Sequence, residues 1–157
     1  MRDVSLREFE DGDLGTVFEF MRDPESVWMA AFTAEDPDDR EAFDAHWRKV
    51  LAMPGTTNRV IVGDGRVVGT IASFEMEGDT EITYWIDRSV WGRGVAGRAV
   101  ALLLDLVPVR PLYGRVASDN AGSMRVLTRA GFEKVGTDVG YANARKAEIE
   151  ETILKLS

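Results

Sequence analysis

The chain has 157 residues, of which 45% are hydrophobic and 29% charged, and its 19 basic and 27 acidic side chains give a net charge of −8. This length and balance predict a single globular domain over residues 1–157 and argue against wholesale disorder. The lack of cysteine excludes a disulfide framework, a thiolate zinc site and a cysteine nucleophile, and the acid excess argues against general nucleic-acid binding.

The first third of the chain predicts one strand and two helices. Val4–Phe9 partly alternates between apolar and polar residues, as a short strand does. A first amphipathic helix is indicated by apolar residues at the spacing i, i+3, i+4, i+7, namely Leu14, Val17, Phe18 and Met21. A second helix is expected to begin with Asp36 as its cap and Pro37 in its first position, and to end by Pro54.

The middle of the chain predicts an antiparallel meander of three strands. Two of them, Arg59–Val62 and Val67–Phe74, flank the hairpin signal Gly63-Asp64-Gly65. After a turn at Glu77-Gly78-Asp79, the alternating segment Glu81–Ile86 predicts the third strand.

The last third predicts helices that alternate with strands. Val95–Val107 predicts a compact apolar helix, and Ala121–Ala130 a second helix closed by Gly131, a residue common at left-handed helix ends. Three further strands are expected, at Leu112–Ala117, Phe132–Val139 and Ile149–Leu156. The order βααβββαβαββ predicts a mixed α/β fold built around one sheet.

The most informative segment is the glycine-rich run from Trp91 to Arg98, Trp-Gly-Arg-Gly-Val-Ala-Gly-Arg. Its glycines spell GxGxxG, but the hairpins before it do not match the parallel strands of a Rossmann unit, and no P-loop lysine follows. Glycine-rich backbone that enters a helix presents unpaired N–H groups and the positive helix end, which together bind phosphate. The alternative is that these glycines only permit a tight loop and close packing.

A second motif lies downstream, where Asn120 and Ser123 open a helix that Gly131 and Phe132 close. Together with the strand that contains Tyr-Trp and the Trp-Gly-Arg-Gly loop, in this order, it resembles the GNAT superfamily of acyl-CoA-dependent N-acyltransferases. Within it, the chain looks most like the ribosomal-protein alanine and serine N-acetyltransferases. The resemblance covers the whole order of elements and is specific over Glu81–Phe132. It implies an α+β fold with about seven strands in one mostly antiparallel, twisted sheet that has helices on both faces and splayed central strands.

The resemblance implies acetyl-CoA as cosubstrate and no metal. Backbone amides of the glycine loop would hold the pyrophosphate of coenzyme A, those of Arg93, Gly94, Val95, Ala96, Gly97 and Arg98. The pantetheine arm would lie between the splayed strands Glu81–Ile86 and Leu112–Ala117, beside Tyr84, Trp85, Ile86 and Ser123. Asn120 would contact this arm or the strand edge, and a backbone N–H near Tyr84 or Trp85 would stabilise the oxyanion. Trp91 departs from the Gln or Arg usual at its position.

The implied reaction moves an acetyl group to a primary amine by direct transfer in a ternary complex, which requires a base and a proton for the leaving thiolate. Glu81, at the start of the central strand, is the predicted base; the alternative is an edge carboxylate, and Glu75 is the second candidate. Ser123 is the predicted acid, because Leu127 stands where many relatives carry tyrosine. The alternative for Ser123 is an ordinary residue of a first helical turn, with Tyr141 as the reserve acid.

Trp28 and Glu75 are expected to line the acceptor groove. The acceptor would be a peptide or protein N-terminus or a small amine, and the acid excess favours a cationic one. A catalytically silent acyl-CoA-binding module that regulates a partner stays open as the alternative. No apolar run predicts a membrane span or signal peptide, so a cytoplasmic protein without a membrane partner is expected. Exposed strand ends suit a homodimer, and His46 is expected to be structural.

Overall fold

Seven strands form one sheet in the computed structural model, which describes residues 1–157, in the order β1-β2-β3-β4-β5-β7-β6. The strands are β1 (Val4–Arg7), β2 (Thr57–Gly63), β3 (Arg66–Met76), β4 (Asp79–Ile86), β5 (Leu112–Ala117), β6 (Glu133–Ala142) and β7 (Ala147–Leu156). All neighbouring pairs are antiparallel except β4 and β5, which are parallel. The predicted mixed, mostly antiparallel sheet is therefore confirmed.

Five α-helices cover the sheet, α1 (Asp13–Met21), α2 (Pro24–Ala30), α3 (Arg40–Ala52), α4 (Val95–Leu106) and α5 (Ala121–Arg129), with a 3₁₀ turn at Arg88–Val90. The sequence did not predict α2, a helix of seven residues. Its start carries ordinary signals, since Asp23 accepts a hydrogen bond from the Ser26 amide and Pro24 occupies the first helical position. None of the helices is long and apolar enough to span a membrane.

The start of α3 lies three residues beyond the predicted one. Asp39 caps the helix by accepting a hydrogen bond from the Ala42 amide at 3.0 Å. Asp36, the predicted cap, instead accepts from the amide of Asp38 and forms a turn before the helix. Several acidic residues in a row each have capping chemistry, and tertiary packing selects which of them begins the helix.

The two faces of the sheet carry different helices. Helices α4 and α5 pack on one face over the largest core cluster, which includes Ile82 from β4 and Leu112 from β5. Helices α1 and α3 cover the other face through a smaller cluster that contacts Trp85, and Ala31, just after α2, packs on Ala117 at the end of β5. We call these the α4–α5 face and the α1–α3 face. Alternation along β4 directs neighbouring side chains to opposite faces.

The sheet opens between its two central strands. Only Thr80–Ile82 of β4 pair with Leu112–Gly114 of β5, so Thr83–Ile86 have no partner in β5. The rest of β5 pairs only with β7. We call this gap the cleft between β4 and β5, and it confirms the predicted splay. Because β4 and β5 are parallel, their carboxyl ends lie on the same side, and α4 and α5 both begin at the open end of the cleft.

Candidate active site

The glycine loop enters α4 with its backbone amides free. Gly94 adopts a left-handed conformation (φ 75°) before the helix, and no side chain caps the helix start. The amides of Val95, Ala96 and Gly97 donate no hydrogen bond within the chain, and the first helical bond runs from the Arg98 amide to the Gly94 carbonyl. A Cβ added at Gly94 or Gly97 would meet no atom within 4 Å. Free amides that face open space at a helix start form a suitable anion site.

Two side chains around this loop form hydrogen bonds to the backbone of the protein, and one charged side chain forms no ion pair. The Arg98 guanidinium donates to the backbone carbonyls of Met1 and Arg2, so it anchors the chain start to α4. Arg93 is exposed and forms no ion pair, which leaves its charge beside the free amides. The Trp91 indole donates to the Ile86 carbonyl at 2.9 Å and so fastens the loop to the end of β4.

Asn120 holds Ser123 at the head of α5. The Asn120 side-chain oxygen accepts a hydrogen bond from the Ser123 amide at 3.2 Å, which caps the helix. Its amide nitrogen donates to the carbonyl of Met29 at 3.4 Å. Asn120, predicted to contact the cofactor or the strand edge, therefore uses its side chain within the protein to position Ser123.

Tyr84 carries a buried hydroxyl on the α4–α5 face of the sheet. Tyr84 lies in the part of β4 that has no partner in β5, and it packs against the core of the α4–α5 face. Its hydroxyl is buried and has no hydrogen-bond partner in the structure. Burial raises the pKa of Tyr84, and the neighbouring Ser123 side chain acts in the opposite direction. The sequence pointed to the backbone of Tyr84 and missed its side chain.

Glu81 is a buried carboxylate without a hydrogen bond, at the closed end of the cleft and on the α1–α3 face. Its side chain is 12% exposed, and its nearest charge is the Arg115 Nε, 3.8 Å from Oε2. Burial raises the pKa of Glu81, Arg115 opposes this, and Glu151, Asp79 and Glu77 reinforce it. A carboxyl group with a raised pKa and free lone pairs is a stronger proton acceptor than an ordinary exposed carboxylate.

Glu75 has a different environment from Glu81. It is exposed near the end of β3, where it pairs with Thr80 at the start of β4. The two candidate bases therefore lie on neighbouring strands, but only Glu81 is desolvated.

Arg115 is a residue of the site that sequence reasoning missed. Its guanidinium lies 2.8 Å from Glu151 on β7 and 3.5 Å from Asp138 on β6, besides the contact to Glu81. The cluster contains three carboxylates and one cation, so this part of the α1–α3 face is negative overall. These residues come together only because β5, β6 and β7 pair with one another, and no local pattern in the sequence predicts that pairing.

Trp28 belongs to a segment, Trp28–Thr33, that is fastened from two sides. The Arg145 Nε donates to the Trp28 carbonyl at 2.8 Å, and its guanidinium lies 4.4 Å from the centre of the Trp28 ring. The same guanidinium forms a two-bond ion pair with Asp119, at 2.7 and 3.2 Å, just before α5. The Trp28 side chain remains 54% exposed, whereas that of Arg145 is 8% exposed.

Further hydrogen bonds hold the backbone of this segment. The Ala144 amide donates to the Ala31 carbonyl at 3.2 Å, and the Asn143 side chain donates to the Thr33 carbonyl at 2.7 Å. Ala31 has φ 65° and ψ −58°, a strained conformation for a residue with a Cβ. The turn between β6 and β7 thus fixes the segment over the carboxyl end of β5.

Tyr141 and His46, which the sequence analysis also considered, both lie outside the cleft. Tyr141 lies within strand β6, whose predicted end was Val139, and its side chain is 58% exposed. His46 is exposed on α3 beside Trp47, and its ring lies 6.3 Å from the Trp47 ring. No side-chain hydrogen bond or ion pair links either residue to the cleft.

Comparisons with known proteins were made for the sequence and for the fold. The model of a family described as Acetyltransferase (GNAT) domain matches residues 3–133. The uncharacterized N-acetyltransferase p20 of Bacillus licheniformis is 25% identical over 164 residues, covering 98% of this chain and 92% of that protein. Mycobacterium smegmatis RimJ in complex with CoA-disulfide is 21% identical, with a TM-score of 0.82 over 98% of this chain and 81% of that chain. RimL, a ribosomal alpha-N-protein acetyltransferase in complex with coenzyme A, is 15% identical, with a TM-score of 0.83 over 99% and 94%.

Proposed function

The chain belongs to the acetyltransferase (GNAT) family, and from this premise we propose that it moves the acetyl group of acetyl-CoA directly to a primary amine in a ternary complex. The observation that carries the proposal is the cleft between β4 and β5. Two helix starts lie at its open end, and the desolvated carboxylate of Glu81 lies at its closed end.

The residues present fit coenzyme A. The free amides of Val95–Gly97 would bind pyrophosphate oxygens, and the open space before Gly94 allows phosphate to approach the backbone. The backbone of Thr83–Trp85 has no partner on the side that faces β5, and it would offer hydrogen-bonding groups there to an extended chain such as the pantetheine arm. RimJ and RimL, which share this fold, were both solved with coenzyme A or its disulfide, which supports this assignment.

Acetyl-CoA supplies an activated thioester, and the residues of the chain supply binding and proton transfer. Glu81 accepts the proton of the amine, directly or through water, as the new amide bond forms. A backbone N–H of Tyr84 or Trp85 donates to the carbonyl oxygen as it becomes negative. Ser123, at the head of α5, gives a proton to the departing sulfur. The position of each residue along the cleft supports the role proposed for it.

The charges around Glu81 favour a cationic acceptor. Glu151 and Asp138 outnumber Arg115 on the same face, and the whole chain carries a net charge of −8. Such a field raises the local concentration of positively charged amines. The exposed ring of Trp28 and the carboxylate of Glu75 would line the approach. A peptide N-terminus and a small amine both satisfy this chemistry.

The test is release of free thiol from acetyl-CoA with a panel of N-terminal peptides, polyamines and small amines. Glu81→Gln should lower kcat by roughly 10²–10⁴-fold, because glutamine cannot accept the proton, while the Kd for coenzyme A stays unchanged. Glu148→Gln, which alters an exposed carboxylate on β7, is the matched control and should retain the wild-type rate.

Two results would contradict the proposal. Tight binding of coenzyme A without turnover of any amine would instead favour a silent acyl-CoA-binding module. A Glu81→Gln variant with the wild-type rate and pH profile would move the role of base elsewhere, and Glu75→Gln would then be the next variant to measure.

A further inference from the structure

Helix α2 connects the two strands that the cleft separates. Its N-cap residue Asp23 forms a two-bond ion pair with Arg88, two residues after the end of β4, at 2.8 and 3.1 Å. At the other end of the helix, Ala31 packs on Ala117 at the end of β5. We call Asp23–Ala31 the α2 bridge, because it joins the β4 side to the β5 side at the open end of the cleft.

The backbone pairing of β4 and β5 does not fix the width of this open end. The two strands share three residue pairs, all of them at the closed end. A helix of seven residues is about 10 Å long, and two strands with a third strand between them lie about 10 Å apart. The α2 bridge is therefore long enough to connect the two sides while one extended chain lies between them.

The two ends of the α2 bridge are held by different numbers of bonds. On the β5 side, three backbone carbonyls of the bridge accept hydrogen bonds, those of Trp28, Met29 and Ala31. On the β4 side, Arg88 makes every side-chain hydrogen bond and ion pair, with Asp23 and with Glu25 at 3.0 Å. Loss of one bond on the β5 side leaves two others, whereas loss of Arg88 releases the β4 side.

Both partners of the ion pair are themselves held in place. Asp23 also accepts hydrogen bonds from the amide and the hydroxyl of Ser26, at 3.0 and 2.9 Å. Arg88 opens the 3₁₀ turn whose last residue, Val90, is buried in the main core. Because a two-bond ion pair has a defined geometry and both ends are fixed, it determines the spacing between α2 and the end of β4.

We propose that Arg88 is a positioning residue for coenzyme A, which holds the α2 bridge across the cleft and keeps the cleft at the width of one extended chain. The inference rests on the proposed function, since the chain expected in the cleft is the pantetheine arm. Without the ion pair, only a fraction of the molecules keep a cleft of this width, and the apparent Kd rises by the inverse of that fraction. The free amides of Val95–Gly97 bind the pyrophosphate outside the cleft and are not affected.

The test compares two ligands by calorimetry: coenzyme A, and its nucleotide part 3′-phospho-ADP, which has the pyrophosphate and no pantetheine arm. Arg88→Met should raise the Kd for coenzyme A by about three- to tenfold and leave that for 3′-phospho-ADP within about twofold. Because the Arg88 side chain is 50% exposed, the Tm of the unliganded protein should change by no more than about 3 °C. Arg40→Met removes an ion pair of 2.9 Å within α3 and is the control that should change none of these quantities.

Asp23→Asn separates positioning from simple electrostatic attraction. Asparagine caps a helix as well as aspartate does, so this variant keeps α2 and loses the charge. It should also weaken coenzyme A binding, and it should add little to Arg88→Met, because both variants remove one ion pair. A general effect of charge on an anionic ligand has the opposite sign, since loss of Asp23 makes the protein more positive and would tighten binding.

Three results would overturn the inference: an unchanged Kd for coenzyme A in Arg88→Met, an equal rise in Kd for both ligands, or tighter binding in Asp23→Asn. A protein that shows the expected difference between the ligands but turns over no amine would refute the proposed acetyl transfer and support the role of Arg88. Normal turnover with the same Kd values in Arg88→Met as in the wild type would refute the role of Arg88 alone. A wild-type protein that does not bind coenzyme A would refute both.

Discussion

The proposed role of Glu81 as the base predicts that removal of Arg115 displaces the acid limb of the pH–rate profile. Arg115 Nε lies 3.8 Å from the Glu81 carboxylate and stabilises its charged form. Arg115→Met removes this charge and leaves Glu151 and Asp138 uncompensated nearby. Both changes favour the protonated form, so the pKa of Glu81 rises and the enzyme needs a higher pH to reach its full rate.

The size of the shift follows from the distance and the solvent exposure. Two unit charges 3.8 Å apart interact by about 4 kcal/mol at an effective dielectric constant of 20. Arg115 is 38% exposed and has Glu151 as its closer partner, so solvent and this carboxylate screen most of the interaction. The part that remains is enough to raise the pKa of Glu81 further, so that kcat/KM on the acid limb falls by about tenfold.

The assay is kcat/KM for free-thiol release, measured against pH with one acceptor for every variant. Arg115→Met should move the acid limb up by about one pH unit and keep the plateau at high pH. Glu151→Gln removes a negative charge that raises the pKa of Glu81, so it should move the limb in the opposite direction. Arg48→Met, on the exposed side of α3, is the control for a general change of charge.

An acid limb that stays in place in both variants would refute the proposed effect of Arg115 on Glu81. The limb would then report the ionisation of the acceptor amine, which no substitution in the protein alters, and Glu81 would not be the titrating base. If kcat/KM at high pH falls while the acid limb stays in place, Arg115 contributes to acceptor binding.

Gly94→Val should weaken coenzyme A binding by at least about tenfold in calorimetry, because the side chain occupies the space before the free amides, while Gly94→Ala, with the same backbone strain, weakens it less. Arg145→Met releases Trp28–Thr33 from Asp119, so the KM for the acceptor should rise several-fold with the Kd for coenzyme A unchanged; an unchanged KM would make the ion pair purely structural. Asp13→Asn should lower the free energy of unfolding at pH 7 by about 2 kcal/mol, because the ion pair with Arg7 lowers the pKa of the buried Asp13. Stability from a lowered carboxyl pKa is present at neutral pH and lost as the pH falls through the folded-state pKa, so denaturation at pH 3 should show a smaller difference between variant and wild type.

Much of the fold could be predicted because its signals are local. The hairpin at Gly63-Asp64-Gly65, the apolar helix from Val95 and the strand Leu112–Ala117 all occur as predicted. The resemblance to the GNAT family is confirmed by the family match over residues 3–133. The helix Pro24–Ala30 was missed because seven residues give less than two periods of an amphipathic pattern.

The site could be predicted only where a motif spans it. The free amides after Gly94 and the cap at Asn120 lie within contiguous motifs, and the sequence identified both segments. Arg115 and Arg145 reach their partners across strands and turns that are distant in the sequence, and a single sequence contains no record of those contacts. The buried hydroxyl of Tyr84 was hidden for the same reason, since its burial depends on the core that forms on the α4–α5 face.

The cleft between β4 and β5 also determines which kinds of molecule can use its free backbone. An exposed sheet edge invites any other strand to add to it, which leads to aggregation. Here the unpaired edges of Thr83–Ile86 and Arg115–Ala117 face each other within one sheet, with α4 and α5 on one side. A strand from another folded protein would have to bring its neighbouring strands with it, and these have no room between two strands of the same sheet. The cleft is therefore too narrow for a strand of another folded protein but admits a single slender chain. Such a chain would bridge the two halves of the sheet, which are otherwise connected by three residue pairs between β4 and β5.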